Sequence, residues 1–193
     1  ERVTYDRTIS TELQNNLTPS QQLPHTAYGA LINGSAVCDG YTYLFQLLCS
    51  YAGIPTTTVL GVAQQGEQAA TGESENHAWN LVKIGEEYYY CDPTWDDNGD
   101  QYLDSDGGFV ISKEPAEGMR QVLPSVTHFY YNLSYAQIAQ NHQFSKNFAY
   151  PDREGSPQDY YSHRGLTAAS RGELERLILD GCQNLNEGDV GFE

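Results

Sequence analysis

A helix is the first element that the pattern of apolar and polar positions predicts. Starting at Tyr41, apolar side chains recur at i, i+3, i+4, i+7 and i+11, which is the spacing of one helix face. They are Tyr41, Leu44, Phe45, Leu48 and Ala52. Gly53 and Pro55 then mark an end, because glycine caps helices and proline cannot continue them. The pattern predicts a helix from about Cys38 to Ala52, with a thiol in its first turn.

Three strands are expected after this helix. Thr56–Ala63 is rich in β-branched residues, which favour strands. His77–Ile84 and Glu87–Asp92 flank Gly85 and Glu86, a pair that fits a hairpin turn. Pro93 ends the last strand, because proline has no N–H to donate to a neighbouring strand. The pattern is that of a strand followed by an antiparallel hairpin.

The register of this hairpin brings a histidine near a carboxylate. A two-residue turn pairs Ile84 with Glu87 and places His77 on the same face as Asp92, one diagonal away. Diagonal neighbours lie about 7–8 Å apart at the backbone, which their side chains can bridge with a hydrogen bond. A four-residue loop keeps this parity and a three-residue loop breaks it. With the even parity, Cys91 faces the opposite side of the sheet.

Outside this central region the patterns are weaker. Residues 1–34 predict loops with short helical pieces, and residues 64–76 predict a long polar loop. Near the C-terminus, Ser170 and Glu173 form a capping box ahead of an apolar helix face. Gly181 predicts the end of that helix.

The composition excludes two classes of partner. The 193 residues carry a net charge of −16 with only 10 basic side chains, whereas nucleic-acid binding needs clustered Lys and Arg. No stretch approaches the roughly 18 consecutive apolar residues of a membrane-spanning helix. The hydrophobic content of 39% and aromatic content of 12% suit a folded domain of this length.

The cysteines indicate neither a disulfide scaffold nor a zinc site. Four are present, without a C-x-x-C pair and without the Cys/His spacing of zinc sites. If one of them is a working thiol, at most one disulfide can form among the other three. The cysteine content therefore leaves the cellular compartment open.

Cys38, His77 and Asp92 form a candidate catalytic trio. Thiolate attack on a carbonyl carbon needs a histidine to move the proton and a carboxylate to fix the imidazole tautomer. A thiol in the first turn of a helix also benefits from the helix dipole, which favours the thiolate. The N–H groups of that turn can face a developing oxyanion.

Each residue type also has an ordinary structural interpretation. A cysteine inside an apolar helix is most often core filling, as we expect for Cys49, and Asp before Pro is a common turn signal. The remaining histidines are interpreted as structural or surface residues. Trp79 and Trp95 fit packing better than a groove, and Asp39 fits a charge that favours the helix N-terminus although it opposes a thiolate next to it. All three stay candidates for a substrate groove.

Four motifs occur together and in order: V-C-x-G-Y, G-I-P, H-A-W-N and D-P-T-W-D. They stand in the stretches GSAVCDGYTYLFQLLCSYAGIPTTTVLG and HAWNLVKIGEEYYYCDPTWDD. With this spacing the chain closely resembles the transglutaminase-like superfamily, particularly its bacterial members. A chance match of Cys, His and Asp with all four flanking signatures is improbable.

The resemblance implies a papain-like α+β fold, with the cysteine helix packed on an antiparallel sheet that carries the histidine and the aspartate. It implies that Cys38 is the nucleophile, His77 the general base and Asp92 the carboxylate that orients the histidine. It also implies a second oxyanion donor upstream of the cysteine, for which Tyr28 and Asn33 are the candidates. No metal and no cofactor are implied.

The extent of the resemblance suggests a domain organisation. The likeness is strong from Ala27 to Asp97 and fades by Ile111. We therefore assign residues 1–112 to a transglutaminase-like catalytic core. Residues 113–193 are assigned to a C-terminal extension that completes or flanks the core, or starts another module. The early Tyr-Asp pair resembles the lead-in of the family, so we expect that a preceding helix is cut off.

The functional hypothesis is cysteine-dependent acyl transfer on amide bonds of peptides or proteins, with hydrolysis by a peptidase or amidase favoured over cross-linking to an amine. The partner is then a peptide or protein substrate, for example a cell-wall or surface protein. The alternative is a non-catalytic peptide-binding or adhesion module at a bacterial surface. Few lysines, many uncharged polar residues and the acidic charge suit an extracellular or cell-surface location in bacteria.

Overall fold

The described part of the chain consists of nine ranges and divides into two units. In this computed structural model the ranges are 3–9, 17–64, 74–97, 101–103, 109–111, 120–123, 126–147, 149–151 and 158–186. The backbone alone is described for 101–103, 109–111, 120–123 and 181–186. The two compact units are Glu1–Asp159 and Tyr160–Glu193. All residues of the candidate site belong to the first unit.

One long helix and several short ones belong to the first unit. The helices are α1 (Pro19–Gln22), α2 (Cys38–Tyr51), α3 (Pro93–Asp96) and α4 (Tyr135–Ile138), with a 3-10 turn at Leu23–His25 and a π-helical turn at Gly29–Asn33. The strands are β1 (Thr4–Tyr5), β2 (Ser35–Ala36), β3 (Thr56–Ala63), β4 (Glu75–Ile84), β5 (Glu87–Cys91), β6 (Gln101–Leu103), β7 (Phe109–Ile111), β8 (Arg120–Leu123) and β9 (His142–Phe144).

A four-stranded antiparallel sheet supports the long helix. Its strand order is β5-β4-β3-β9, and each neighbouring pair runs antiparallel. Helix α2 packs on β4 and β3. Two smaller sheets accompany it, a parallel pair of β1 with β2 and a three-stranded sheet in the order β7-β6-β8. This is the predicted arrangement of the cysteine helix on an antiparallel sheet.

The elements predicted around the site are confirmed. Helix α2 ends at Tyr51, one residue before the predicted end, and β3 has the predicted bounds. The hairpin has the predicted register, with Ile84 opposite Glu87. Its turn needs Gly85, whose φ of 62° lies in the left-handed region that favours glycine. Local patterns were sufficient here because periodicity and turn chemistry agree.

Two separate cores hold the helix and the hairpin. One buries Trp79 together with Val59, Leu81, Tyr90, Leu133 and Ile138. The other buries Tyr41 and Leu44 of α2 with Ala30 and Ala36. Cys38 and His77 thus each lie within three residues of a well-packed aromatic side chain. Such packing keeps the backbone of both residues in place.

Residues beyond the predicted core boundary also contribute to the central sheet. Strand β9 pairs with β3 through Gly61–Ala63, so the segment His142–Phe144 forms an edge of the sheet. The predicted boundary at residue 112 lies outside the described residues, and the division of the chain there stays a prediction.

Between residues 160 and 186, the described part of the second unit, the chain forms two helices, α5 (Tyr160–His163) and α6 (Arg171–Asn186). Glu173 donates its backbone N–H to the Ser170 hydroxyl at 3.3 Å, as the capping box predicts. The predicted end at Gly181 is wrong, because the helix continues to Asn186. Glycine inside a helix costs only about 1 kcal/mol, and apolar residues continue at helical spacing beyond it. Among the described helices, none is long and apolar enough to cross a membrane.

Candidate active site

Cys38 is the first residue of α2, and a close backbone approach fixes its position. Val37, which precedes it, donates its N–H to the carbonyl oxygen of Pro24 at 3.0 Å. A Cβ on Gly40 would lie 2.1 Å from that same oxygen, so only glycine allows the contact. The glycine of the V-C-x-G-Y motif therefore lets the preceding segment pack against the helix start.

Asp92 is fully buried, and its side chain begins α3 while orienting His77. Its Oδ1 accepts hydrogen bonds from the backbone N–H groups of Thr94 at 3.0 Å and Trp95 at 3.2 Å. Its Oδ2 accepts a hydrogen bond from Nε2 of His77 at 2.6 Å. The D-P-T-W motif thus builds an N-cap that holds the carboxylate rigidly toward the imidazole.

His77 lies between this carboxylate and the thiol of Cys38. Because Nε2 is taken by Asp92, Nδ1 is the ring nitrogen available to Cys38, which lines the same cavity as His77. Burial lowers the pKa of His77, but the charge of Asp92 and the hydrogen bonds to Asp92 and Cys38 outweigh it and raise the pKa to about 10. The structure thus brings the three predicted residues together.

The pKa of Asp92 is shifted in the direction that its pairing with His77 predicts. Burial alone would raise the pKa of Asp92, but the charge of His77 and hydrogen bonds from two histidines hold it well below the usual range. The carboxylate is therefore ionised beside an imidazolium. Cys91 stays outside the site, as the register predicts, because its thiol bonds to Asn132 and burial raises its pKa to about 12.

A second histidine joins the site, which the sequence patterns did not single out. His142 is buried, and its Nε2 lies 3.1 Å from Oδ2 of Asp92. It reaches this place because β9 pairs with β3. A three-residue strand has no periodicity, so no local signal could have found it.

A cavity of about 390 Å³ opens beside the thiol. Cys38, His77, Asp39 and His25 are among its lining residues. Nδ1 of His25 lies 3.0 and 2.9 Å from the two carboxylate oxygens of Asp39. Within the described part of the chain, the buried Nε2 of His25 has no partner. Of the groove candidates, Asp39 thus lies at the cavity.

The other candidates lie elsewhere. Trp79 and Trp95 are buried, and their rings stack on His77 at centroid distances of 6.0 and 5.0 Å. They form the packing around the imidazole. Tyr28 and Asn33 are exposed and are not among the residues that line this cavity. Their assignment as oxyanion donors stays a prediction.

The carboxylate cluster, formed by His77, Asp92 and His142, offers atoms of the kinds that bind metals, all within 4.8 Å of one another. Two of the separations are hydrogen-bond distances, 2.6 and 3.1 Å. Ligands held at roughly 2.0–2.1 Å from a tetrahedral zinc ion stand about 3.3 Å apart. Both observed separations are shorter than the separation between two ligands of one zinc ion, and they match N–H···O hydrogen bonds instead.

A thiol at a helix start, facing a histidine and an aspartate on an antiparallel sheet, defines a papain-like α+β fold. A model of the transglutaminase-like superfamily matches residues 2–93. This segment includes the motifs around Cys38 and His77 and ends at the start of the motif at Asp92, so the predicted resemblance to the superfamily is confirmed for this part of the chain. The family is compatible with acyl transfer by Cys, His and Asp.

Two curated relatives and one solved structure are similar to parts of the chain. The kyphoscoliosis peptidases of mouse (Mus musculus) and human (Homo sapiens) are each 39% identical over 62 residues, which is 30% of this chain and 9% of theirs. The chain therefore matches only about a tenth of their length. A structure described as "Crystal structure of a TGase" has a TM-score of 0.37 and 20% identity, over 47% of this chain and 22% of that chain.

Proposed function

We propose that this domain is a cysteine-dependent acyl-transfer enzyme that acts on amide bonds of peptides or proteins, with water as the favoured acceptor. The single observation that carries the proposal is the position of His77, which is hydrogen-bonded to Asp92 and lines the same cavity as the thiol of Cys38. A histidine with only a structural role would not require a thiol beside its second ring nitrogen.

The reaction follows from this geometry. The Cys38 thiolate, whose proton resides on His77, attacks the amide carbonyl carbon to form a C–S bond. The oxyanion faces the N–H groups at the start of α2, which helix geometry leaves without intrahelical partners. His77 then gives its proton to the leaving amine as the C–N bond breaks. Water, deprotonated by His77, attacks the thioester and releases the acid and the thiolate.

The shape of the cleft favours an extended substrate. A second cavity, of about 360 Å³, shares Leu60, Gly61 and Asn76 with the one beside Cys38 and continues along β9 to Lys146. A peptide chain needs such an open path on at least one side of the bond that reacts. We therefore place a peptide or protein substrate along β3 and β9.

The proposed setting is extracellular or at a bacterial cell surface, with a cell-wall or surface protein as substrate. It is supported by the acidic, lysine-poor composition and by the motifs that resemble bacterial members of the superfamily. Fractionation of the native host, followed by detection of the protein in the medium or on intact cells, tests this setting.

The test of catalysis is the rate of Cys38 alkylation by iodoacetamide between pH 5 and 9, resolved by mass spectrometry. An ordinary thiol is only about 0.3% thiolate at pH 6. We expect Cys38 to react at pH 6 at least about tenfold faster than Cys49, a partly exposed cysteine on the same helix. His77→Ala should abolish the difference.

Equal rates for the two cysteines, or no effect of His77→Ala, would contradict the proposal and favour a binding module. If the test succeeds, the acceptor is identified with acyl-donor peptides incubated with and without a fluorescent primary amine. Release of free acid in the presence of excess amine supports hydrolysis. Incorporation of the amine shows that cross-linking is the preferred reaction.

A further inference from the structure

Two histidines share one oxygen of the central carboxylate. Oδ2 of Asp92 lies 2.6 Å from Nε2 of His77 and 3.1 Å from Nε2 of His142. Since an ionised carboxylate only accepts hydrogen bonds, each Nε2 must carry the proton of its contact. Nε2 of His142 therefore carries a hydrogen.

The ring of His142 is held firmly in this orientation. It contacts Trp95, Trp79 and Tyr130 at centroid distances of 4.5, 4.7 and 5.7 Å. Its Nδ1 lies 2.7 Å from Oδ1 of the Asn141 side chain. The whole residue is only 2% exposed. A histidine buried with both nitrogens in contact has a single available orientation.

With His142, every acceptor position of Asp92 is occupied. Two backbone N–H groups bond to Oδ1, and two imidazole N–H groups bond to Oδ2. Each donor stabilises the anionic form of a carboxylate. A carboxylate that shares its charge among four donors is a weaker partner for the imidazolium of His77 than one with three.

We propose that His142 is a positioning residue that tunes the general base: by donating to Asp92, it limits how strongly the carboxylate holds the proton on His77. The inference rests on the proposed function of Cys38 and His77. An imidazolium that keeps its proton too tightly is a poor acid toward the leaving amine, and near neutral pH it leaves little neutral imidazole to act as a base toward water. His142 keeps the proton affinity of His77 closer to the range in which His77 can act both as an acid and as a base.

Other titratable groups also act on the carboxylate cluster. Cys38, on α2, raises the pKa of His77. Burial first, and the charge of Asp92 to a smaller extent, raise the pKa of three further groups. They are Cys91 on β5, Asp96 on α3 and Tyr130 before α4. All of them are unchanged in the variants below, so a difference between variants reports on residue 142.

Two substitutions separate the hydrogen bond from the packing. His142→Phe keeps an aromatic ring among the surrounding rings but removes the N–H. His142→Gln loses the ring but carries an amide nitrogen at the same number of bonds from Cα as Nε2. His163→Gln, an exposed site in the second unit, is the matched control. The readout is the titration of His77, followed by NMR of protein with ¹⁵N-labelled histidine.

We expect His142→Phe to move the His77 titration upward by at least about half a pH unit, which is a roughly threefold change in proton affinity. His142→Gln and His163→Gln should leave the midpoint near that of the wild type. If His142→Gln shifts it as much as His142→Phe, or if neither does, the inference is overturned. If His142 acts only through packing, both variants shift the midpoint equally. If His142 has no influence on His77, neither variant shifts it.

The wild-type protein provides a test that does not depend on the variants folding. Its spectrum should show two strongly deshielded imidazole N–H protons, from Nε2 of His77 and of His142. A single such proton overturns the inference. Failure of the proposed function is distinguishable, because it appears as ordinary Cys38 alkylation in the wild type whatever the histidine spectrum shows.

Discussion

The side-chain amide of Asn80 donates a hydrogen bond to the carbonyl oxygen of Thr42 at 3.1 Å. Asn80 follows His77 by three residues on β4, and Thr42 follows Cys38 by four on α2. Both residues are fully buried. The Thr42 hydroxyl shares its single hydrogen between the carbonyl oxygens of Cys38 at 2.7 Å and of Ala78 at 3.1 Å. These bonds fasten the helix with the thiol to the strand with the histidine.

Asn80→Ala should therefore affect both stability and the site. It removes a buried hydrogen bond and leaves a small void, so we expect the free energy of unfolding to fall by about 2–4 kcal/mol. Chemical denaturation measures the loss, and Cys38 alkylation at pH 6 should slow as α2 loosens from β4. Asn147→Ala, at an exposed position, should change the stability by no more than about 0.5 kcal/mol. A similar small effect at Asn80 would contradict the anchoring role.

Gly61→Ala should disturb the placement of His142. A Cβ at this position would lie 2.1 Å from the carbonyl oxygen of Gln143 and 2.7 Å from Cη2 of Trp79, so β9 must shift. We expect a loss of about 1–3 kcal/mol from overpacking and the disappearance of the His142 N–H signal. Gly172→Ala is the control, because its Cβ meets nothing within 4 Å. An unchanged histidine spectrum in Gly61→Ala would refute this prediction.

The carboxylate cluster should make stability depend on pH with a definite sign. The pKa of His77 is raised from 6.5 to about 10 on folding, so its contribution is complete below pH 6.5 and is lost as the pH rises toward 10. The pKa of Asp92 is lowered from 3.8, so its contribution is present above pH 3.8 and is lost on further acidification.

The measurement is the free energy of unfolding of wild type and His77→Gln between pH 6 and 10. The advantage of the wild type should shrink steadily across this range. Burial raises the pKa of Asp96 to about 7, which lowers stability as the pH rises from 3.8 to 7. That group is present in both proteins, so it cancels in the difference. A constant difference would mean that His77 does not carry the charge inferred for it.

The pair of His25 and Asp39 should influence the reactivity of Cys38. Nδ1 of His25 lies within hydrogen-bond distance of both carboxylate oxygens of Asp39, which stands next to Cys38 in the chain, and a carboxylate that lacks such a donor disfavours a nearby thiolate more strongly. We expect His25→Ala to slow Cys38 alkylation at pH 6 by a few-fold, and Asp39→Asn to restore the rate in the double variant. Alkylation of Cys49 serves as the reference in each protein. If the two substitutions act additively instead, the pair does not act through its charge.

Much of the site could be predicted from local sequence. The helix that begins at Cys38 and the register that brings His77 beside Asp92 both follow from short-range rules, namely apolar periodicity and a two-residue turn at Gly85 and Glu86. Such rules involve residues only a few positions apart. The four motifs make the assignment of the family more specific. Two of them have a clear local role: the glycine of V-C-x-G-Y allows the close contact with the Pro24 carbonyl, and D-P-T-W forms the N-cap of α3.

These short-range rules could not predict contacts between residues that are distant in the chain. His142 lies fifty positions after Asp92 on a three-residue strand, and His25 meets Asp39 only because a backbone contact folds its segment against α2. Trp79 and Trp95 had two interpretations from sequence, and burial around His77 decided between them. The sequence by itself determined the helix and the hairpin around the site and the three residues of the trio. Tertiary structure decided which further side chains surround them, since strand pairing and close backbone approach depend on contacts between segments that carry no pattern of their own.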